Sequence, residues 1–178
     1  MYQNSFNLPD LIEPIYGLNR PRTRKNSKQI PGVYLRRLPA AATITARSIL
    51  DEVKAKGAKA ALREYTSGSA ERWRFILKQI ETGDSQWLSV ANELRAASDA
   101  SYSEDLNFSV ATALTKNPSG VLRLKNFELE SVCDVPYLEP SDKVVRDFQA
   151  KASAALATVR DADLQERKKK CQSILMAP

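Results

Sequence analysis

Residues 69–124, SAERWRFILKQIETGDSQWLSVANELRAASDASYSEDLNFSVATALTKNPSGVLRL, carry helix start and stop signals so closely spaced that only short helices fit between them. Ser69 precedes Trp73, Ile76, Leu77 and Ile80, apolar positions at i, i+3, i+4 and i+7 that form one helical stripe. As an N-cap its hydroxyl accepts a hydrogen bond from a free first-turn amide. Gly83 follows as a residue able to take the positive φ that ends a helix. Asp84 opens the next helix, with Trp87, Leu88, Ala91 and Leu94 as its inner face. A connection this short makes the two helices neighbours, so both tryptophans can reach one core. Ser101 with Glu104 fits the S-x-x-E capping box of a third helix, with Leu106, Val110, Ala113 and Leu114 inward. Asn117-Pro118 supplies an N-cap and an N1 proline for a short fourth helix carrying Val121, Leu122 and Leu124.

The same rules extend outward. A helix begins near Thr45 with Ile49, Leu50 and Val53 apolar; Gly57 breaks or bends it, and Ala58 to Tyr65 continue as helix. After Lys125, FELESVCDVPYLEP gives a short helical turn and then an irregular connection, because Pro136 and Pro140 interrupt regular structure. Ser141 or Asp142 caps a long helix with Val144, Val145, Phe148, Ala152, Ala155, Leu156 and Val159 inward. Asp163 caps the last helix, where Leu164, Cys171 and Leu175 face inward. The expected fold is all-α: an irregular bundle of about six to eight short helices. It forms a single domain over 44–178 behind a basic, Pro-rich arm or presequence over 1–43.

The chain has no histidine, which excludes Ser-His-Asp and Cys-His nucleophiles, histidine bases and histidine-ligated metals. Two cysteines cannot form a four-thiolate zinc site. Asp84, Asp99, Glu104 and Asp105 could be read as a metal or acid–base cluster, but their places at helix starts are explained by capping and the positive helix end. The Trp73–Trp87 pair could line a pocket, but tryptophan at helical spacing reads first as core. The run Arg167–Lys170 reads as a solvated face complementing the dipole of the last helix rather than a phosphate contact. No enzyme activity, cofactor or metal is expected, and no apolar run approaches the roughly 18 residues of a transmembrane helix.

The net charge of +6 is uneven. Residues 1–42 hold Arg20, Arg22, Arg24, Lys25, Lys28, Arg36 and Arg37 against Asp10 and Glu13, a net of +5. The other residues are close to neutral, so attraction to nucleic acid or to an acidic partner would act through this arm. Its stretch YLRRLPAAATITA ends in small residues like the end of a secretory signal, yet lacks the apolar segment that should precede them.

Cys133 and Cys171 either form a disulfide joining the C-terminal helix to the end of the central unit, or are two buried thiols. A resemblance bears on that choice. GDSQWLSVANELR at 83–95, SDASYSEDLNFSVATAL at 98–114, NPSGVL at 117–122, VCDVPYLEP at 132–140 and the late Cys171 resemble a group of small helical exported proteins of proteobacteria. The resemblance spans Gly57 to Cys171, about two-thirds of the chain. No activity is attached to the group. The resemblance implies the Cys133–Cys171 disulfide, an oxidising compartment and hence a periplasmic location, with a cytoplasmic one as the alternative. The resulting expectation is a non-enzymatic protein-binding or scaffold module. The alternative is a nucleic-acid or acidic-partner binder acting through the arm.

Overall fold

The computed structural model describes residues 44–68 and 70–177. Among these, nine α-helices and a 3-10 turn follow one another, with no strand. They are α1 (Ala46–Lys56), α2 (Ala58–Thr66), α3 (Ala70–Ile80), α4 (Ser85–Arg95), α5 (Ala100–Leu114), α6 (Pro118–Leu122), α7 (Leu129–Val132), α8 (Asp142–Ala157), the turn Ala162–Leu164, and α9 (Gln165–Leu175). Ser69, expected as a cap, and the arm with Arg20, Arg22, Arg24, Lys25, Lys28, Arg36 and Arg37 lie outside the described residues.

Most helix ends fall where short-range chemistry put them. Thr45 and Ser48 cap each other: Ser48 N donates to Thr45 Oγ1 at 3.1 Å and Thr45 N to Ser48 Oγ at 3.0 Å. Gly57, at φ 81°, closes α1 by donating to Val53 O and starts α2 directly. Gly83, at φ 77°, ends the turn after α3, and Asp84 Oδ1 accepts from Gln86 N and Trp87 N to cap α4. Asn117 has two roles. Its Oδ1 accepts from Gly120 N at 2.8 Å, capping α6, and its Nδ2 donates to Gly83 O at 2.7 Å. The start of α6 is thereby tied to the α3–α4 turn.

Two helix starts differ from expectation. α5 is capped by Asp99, whose Oδ1 accepts from Tyr102 N, so Ser101 and Glu104 lie inside the helix and form no capping box. The Asp99 carboxylate reaches the N3 amide from a position two residues before Ser101, and the Tyr102 ring meets Trp73 edge-on at 5.6 Å. Asp163 does not cap α9. It sits inside the 3-10 turn with its carboxylate 3.5 Å from Arg123, while Gln165 Nε2 donates back to Asp161 O.

α5 is the central helix, packed against α3, α4, α6, α7 and α8; α9 closes the other side against α7 and α8. Ile49, Ile76, Ile80, Leu88, Leu94, Leu106, Val110, Leu114, Leu122 and Leu156 are fully buried in one core. Each such side chain contributes about 1.5–3 kcal/mol relative to exposure. Trp73 joins this core and donates its indole N–H to Asp105 at 2.8 Å. Trp87 is only half-buried at the core's edge, meeting the exposed Phe75 edge-on at 6.0 Å. On α8, Phe148, Ala152 and Leu156 are buried as expected, but Val144 is exposed. The neighbouring wall there is the polar end of α5, Thr112 and Thr115, so Val144 edges a groove instead of a core.

Candidate functional site

Among the described residues, three of the five exposed large apolar side chains, Tyr137, Leu138 and Val144, lie on or beside the connection between α7 and α8. Cys133 closes α7 and is bonded to Cys171 of α9, with Cα atoms 5.3 Å apart and both residues fully buried. The sequence expectation of a disulfide therefore holds. From this anchor the chain runs through Val135, Pro136, Tyr137, Leu138, Glu139 and Pro140. Pro136 is buried, and Tyr137 N donates to Val135 O at 2.9 Å in a tight three-residue turn. The Tyr137 ring stands edge-on to Phe148 at 6.2 Å, yet the residue is 46% exposed. Leu138 is 79% exposed, more than any other large apolar residue described.

Glu139 has φ 46°, the one described non-glycine residue in the left-handed region. Holding a residue with a Cβ there costs on the order of 1 kcal/mol or more, and such conformations persist only where the surroundings impose them. The turn beside the disulfide precedes Glu139 and Pro140 follows it. Behind the loop lies a groove of about 270 Å³, floored by Phe148 and Val144 and walled by Thr112, Thr115 and Tyr137. Its rim is charged. Lys143 is paired with Asp147, and this neighbouring ammonium holds the Asp147 carboxyl below its usual range, helped by Lys151 and Arg146. The arrangement presents apolar surface on a loop beside the disulfide, with water-facing charges around it.

The residues considered for chemistry are not brought together. Asp84 and Asp99 cap separate helices, Asp105 holds Trp73, and Glu104 is exposed on α5. Among the described residues no group of three or more acidic, cysteine or histidine side chains is placed to hold a metal ion. The run Arg167–Lys170 lies in the N-terminal half of α9, where cations do not complement the dipole of their own helix. Lys169 and Lys170 are exposed, as a solvated face requires, but Arg167, Lys168 and Lys170 reach other elements. Arg167 donates to Leu122 O at 2.7 Å and Leu124 O at 3.3 Å, beyond the end of α6; Lys168 donates to Val159 O at 3.0 Å, beyond the end of α8. Leu122 O is a carbonyl that the end of α6 leaves without an intrahelical partner, and Leu124 and Val159 lie in the connections that follow α6 and α8. Lys170 pairs with Glu130 of α7 at 2.7 Å.

Two clusters had no separate signal in the sequence. Asp161 accepts from Ser119 at 3.0 Å and from Arg123 at 3.0 Å, and these contacts hold its carboxyl below the usual range. Tyr65 donates to Glu52 at 2.6 Å while Lys56 bridges Glu52 and Glu64. Lys56 and Tyr65 lower the Glu52 pKa, and burial with the Glu52 charge raises that of Tyr65. The i, i+4 pair Glu52–Lys56 is visible in sequence; the tyrosine that joins it is not.

Compared with family models, curated proteins and solved structures, the chain matches none. Among the described residues no helix is long and apolar enough to cross a membrane.

Proposed function

We propose that the protein is a non-enzymatic binding or scaffold module that recognises another protein through the surface around Tyr137, Leu138 and Val144, in an oxidising compartment such as the periplasm. The observation that carries this reading is the exposure of these three apolar residues on and beside a loop anchored by the Cys133–Cys171 bond. A braced loop loses little conformational entropy on docking, so its exposed apolar area converts more fully into affinity. The disulfide supports the compartment, since such bonds persist where thiols are not kept reduced.

The test is capture of partners from an extracytoplasmic extract of the native host under non-reducing conditions. Leu138→Asp and Val144→Asp should each lose the partner, and Met176→Asp, at another exposed apolar residue, should keep it. Retention by all three variants overturns the surface assignment. Turnover of a substrate that vanishes on changing a single carboxylate overturns the non-enzymatic reading.

A competing reading, favoured by the charge of residues 1–42, is a cytoplasmic binder of nucleic acid or an acidic partner. It requires binding that falls steeply with salt and disappears when residues 1–42 are deleted.

A further inference from the structure

A second surface, independent of the loop, carries more positive than negative charge. A cleft of about 400 Å³ lies between α2 and the start of α5. Lys59 and Arg63, one helical turn apart on α2, stand on its wall. Neither side chain has a hydrogen bond or ion pair among the described residues. The one carboxylate on α2, Glu64, is directed to Lys56 of α1 at 3.4 Å and so does not serve them. The cleft also contains Asp99, whose Oδ1 accepts from Tyr102 N as the cap of α5; its charge offsets one of the two cations, so the lining carries a net charge of about +1.

Beside the two cations the lining is mixed, with Leu62, Ala97 and Tyr102 apolar and Thr66, Ser98 and Asp99 polar. Leu62 is 5% exposed, and the Tyr102 ring is fixed by its edge-on contact with Trp73. The Tyr102 hydroxyl has no hydrogen-bond partner among the described residues. Two donors without acceptors, set one turn apart at the edge of a greasy floor, match a molecule with a carboxylate at one end and a hydrocarbon body at the other. The carboxylate would accept from the Arg63 guanidinium and the Lys59 ammonium, and the body would lie against Leu62 and Tyr102.

We propose that this cleft is a binding site for small amphiphilic carboxylates. Because it is open to solvent, affinity falls in the millimolar range.

The test uses the full chain and phenylacetate as probe, followed by amide chemical-shift changes in a ¹H–¹⁵N NMR titration. Saturable shifts should centre on Leu62, Ala97 and Tyr102. Lys59→Gln combined with Arg63→Gln should weaken binding by about tenfold or more. Both residues are exposed, so the variant retains the fold. Phenylacetamide, which has the ring without the charge, and inorganic phosphate, which has the charge without the ring, should each bind more weakly than phenylacetate. A tripeptide ending in phenylalanine with a free carboxyl group distinguishes two sources of the same chemistry. Tighter binding than phenylacetate assigns the site to peptide ends, and equal or weaker binding assigns it to free carboxylates. The proposal is overturned by an absence of shifts at about 20 mM probe, by equal binding of phenylacetamide or of phosphate, or by unchanged affinity in the double variant.

Discussion

Asn117 and Gly120 show how much can depend on one capping side chain. A Cβ at Gly120 would stand 2.6 Å from Asn117 Nδ2 and 2.7 Å from Leu88 Cδ1. Gly to Ala inside a helix ordinarily gains up to about 1 kcal/mol. Here the Asn117 amide cannot move aside without giving up Gly83 O and Gly120 N. Gly120→Ala is therefore expected to destabilise by about 1–2 kcal/mol in urea unfolding, as losing a cap does, against the propensity scale. The Glu52–Tyr65 contact predicts a pH signature. Glu52 has its pKa lowered in the fold, so its contribution is present above the unfolded value near 4.5 and is lost as pH falls through the folded value. Tyr65 has its pKa raised, so its contribution is complete below the unfolded value near 10 and is lost as pH rises beyond it. Thermal unfolding across pH should show losses on both flanks. In Tyr65→Phe the alkaline loss from this pair should disappear, and persistence of an equal loss would show that the contact does not set it.

Helix α9 behaves as a clasp assembled from contacts to several other helices. Arg167 and Lys168 satisfy carbonyls at the ends of α6 and α8, Lys170 pairs with Glu130 on α7, and Gln149 of α8 donates to Leu175 O near its C-terminus. Removing a half-buried charged donor from two carbonyls costs about 1–3 kcal/mol, more than removal of an exposed ion pair. Arg167→Ala should therefore lower the denaturation midpoint clearly, whereas Lys170→Ala should leave it nearly unchanged. Equal effects of the two would contradict the assignment of Arg167 as a carbonyl cap. The run of four cations reads as surface in one dimension because nothing in its spacing tells which helix ends will lie within reach.

The folded unit as a whole is closed by the Cys133–Cys171 bond, which links residues 38 positions apart. In the chain-entropy model a loop of that length contributes about 4 kcal/mol. Reduction, or Cys133→Ser with Cys171→Ser, should lower unfolding stability by that order, and non-reducing intact mass of protein from its native host should be two hydrogens below the sum for free thiols. Full free-thiol mass would remove the basis for an oxidising compartment. Four carboxylates or their clusters, at Glu52, Glu130, Asp147 and Asp161, have lowered pKa values through paired cations or hydrogen bonds. Each contribution is lost on acidification, so the molecule should be less stable below about pH 4 than at neutrality.

The all-α class, the helix start near Thr45, the glycine stops at Gly57 and Gly83, the caps at Asp84 and Asn117, and most of the inward stripes of α3 to α6 were legible in the amino-acid order. Each depends on groups within about four positions of one another, and a helix brings those groups together whatever surrounds it. Even Asp99 displacing the Ser101–Glu104 box is a competition between local signals. Packing decided the other features: Trp87 at the margin, Val144 at a groove, Leu138 exposed beside the anchored turn, Lys59 and Arg63 without an ion pair among the described residues, and Arg167 seated on carbonyls more than forty positions away. Burial and charge pairing depend on which elements become neighbours, and the hydrophobic drive that assembles them is non-directional, so no short-range pattern encodes the outcome.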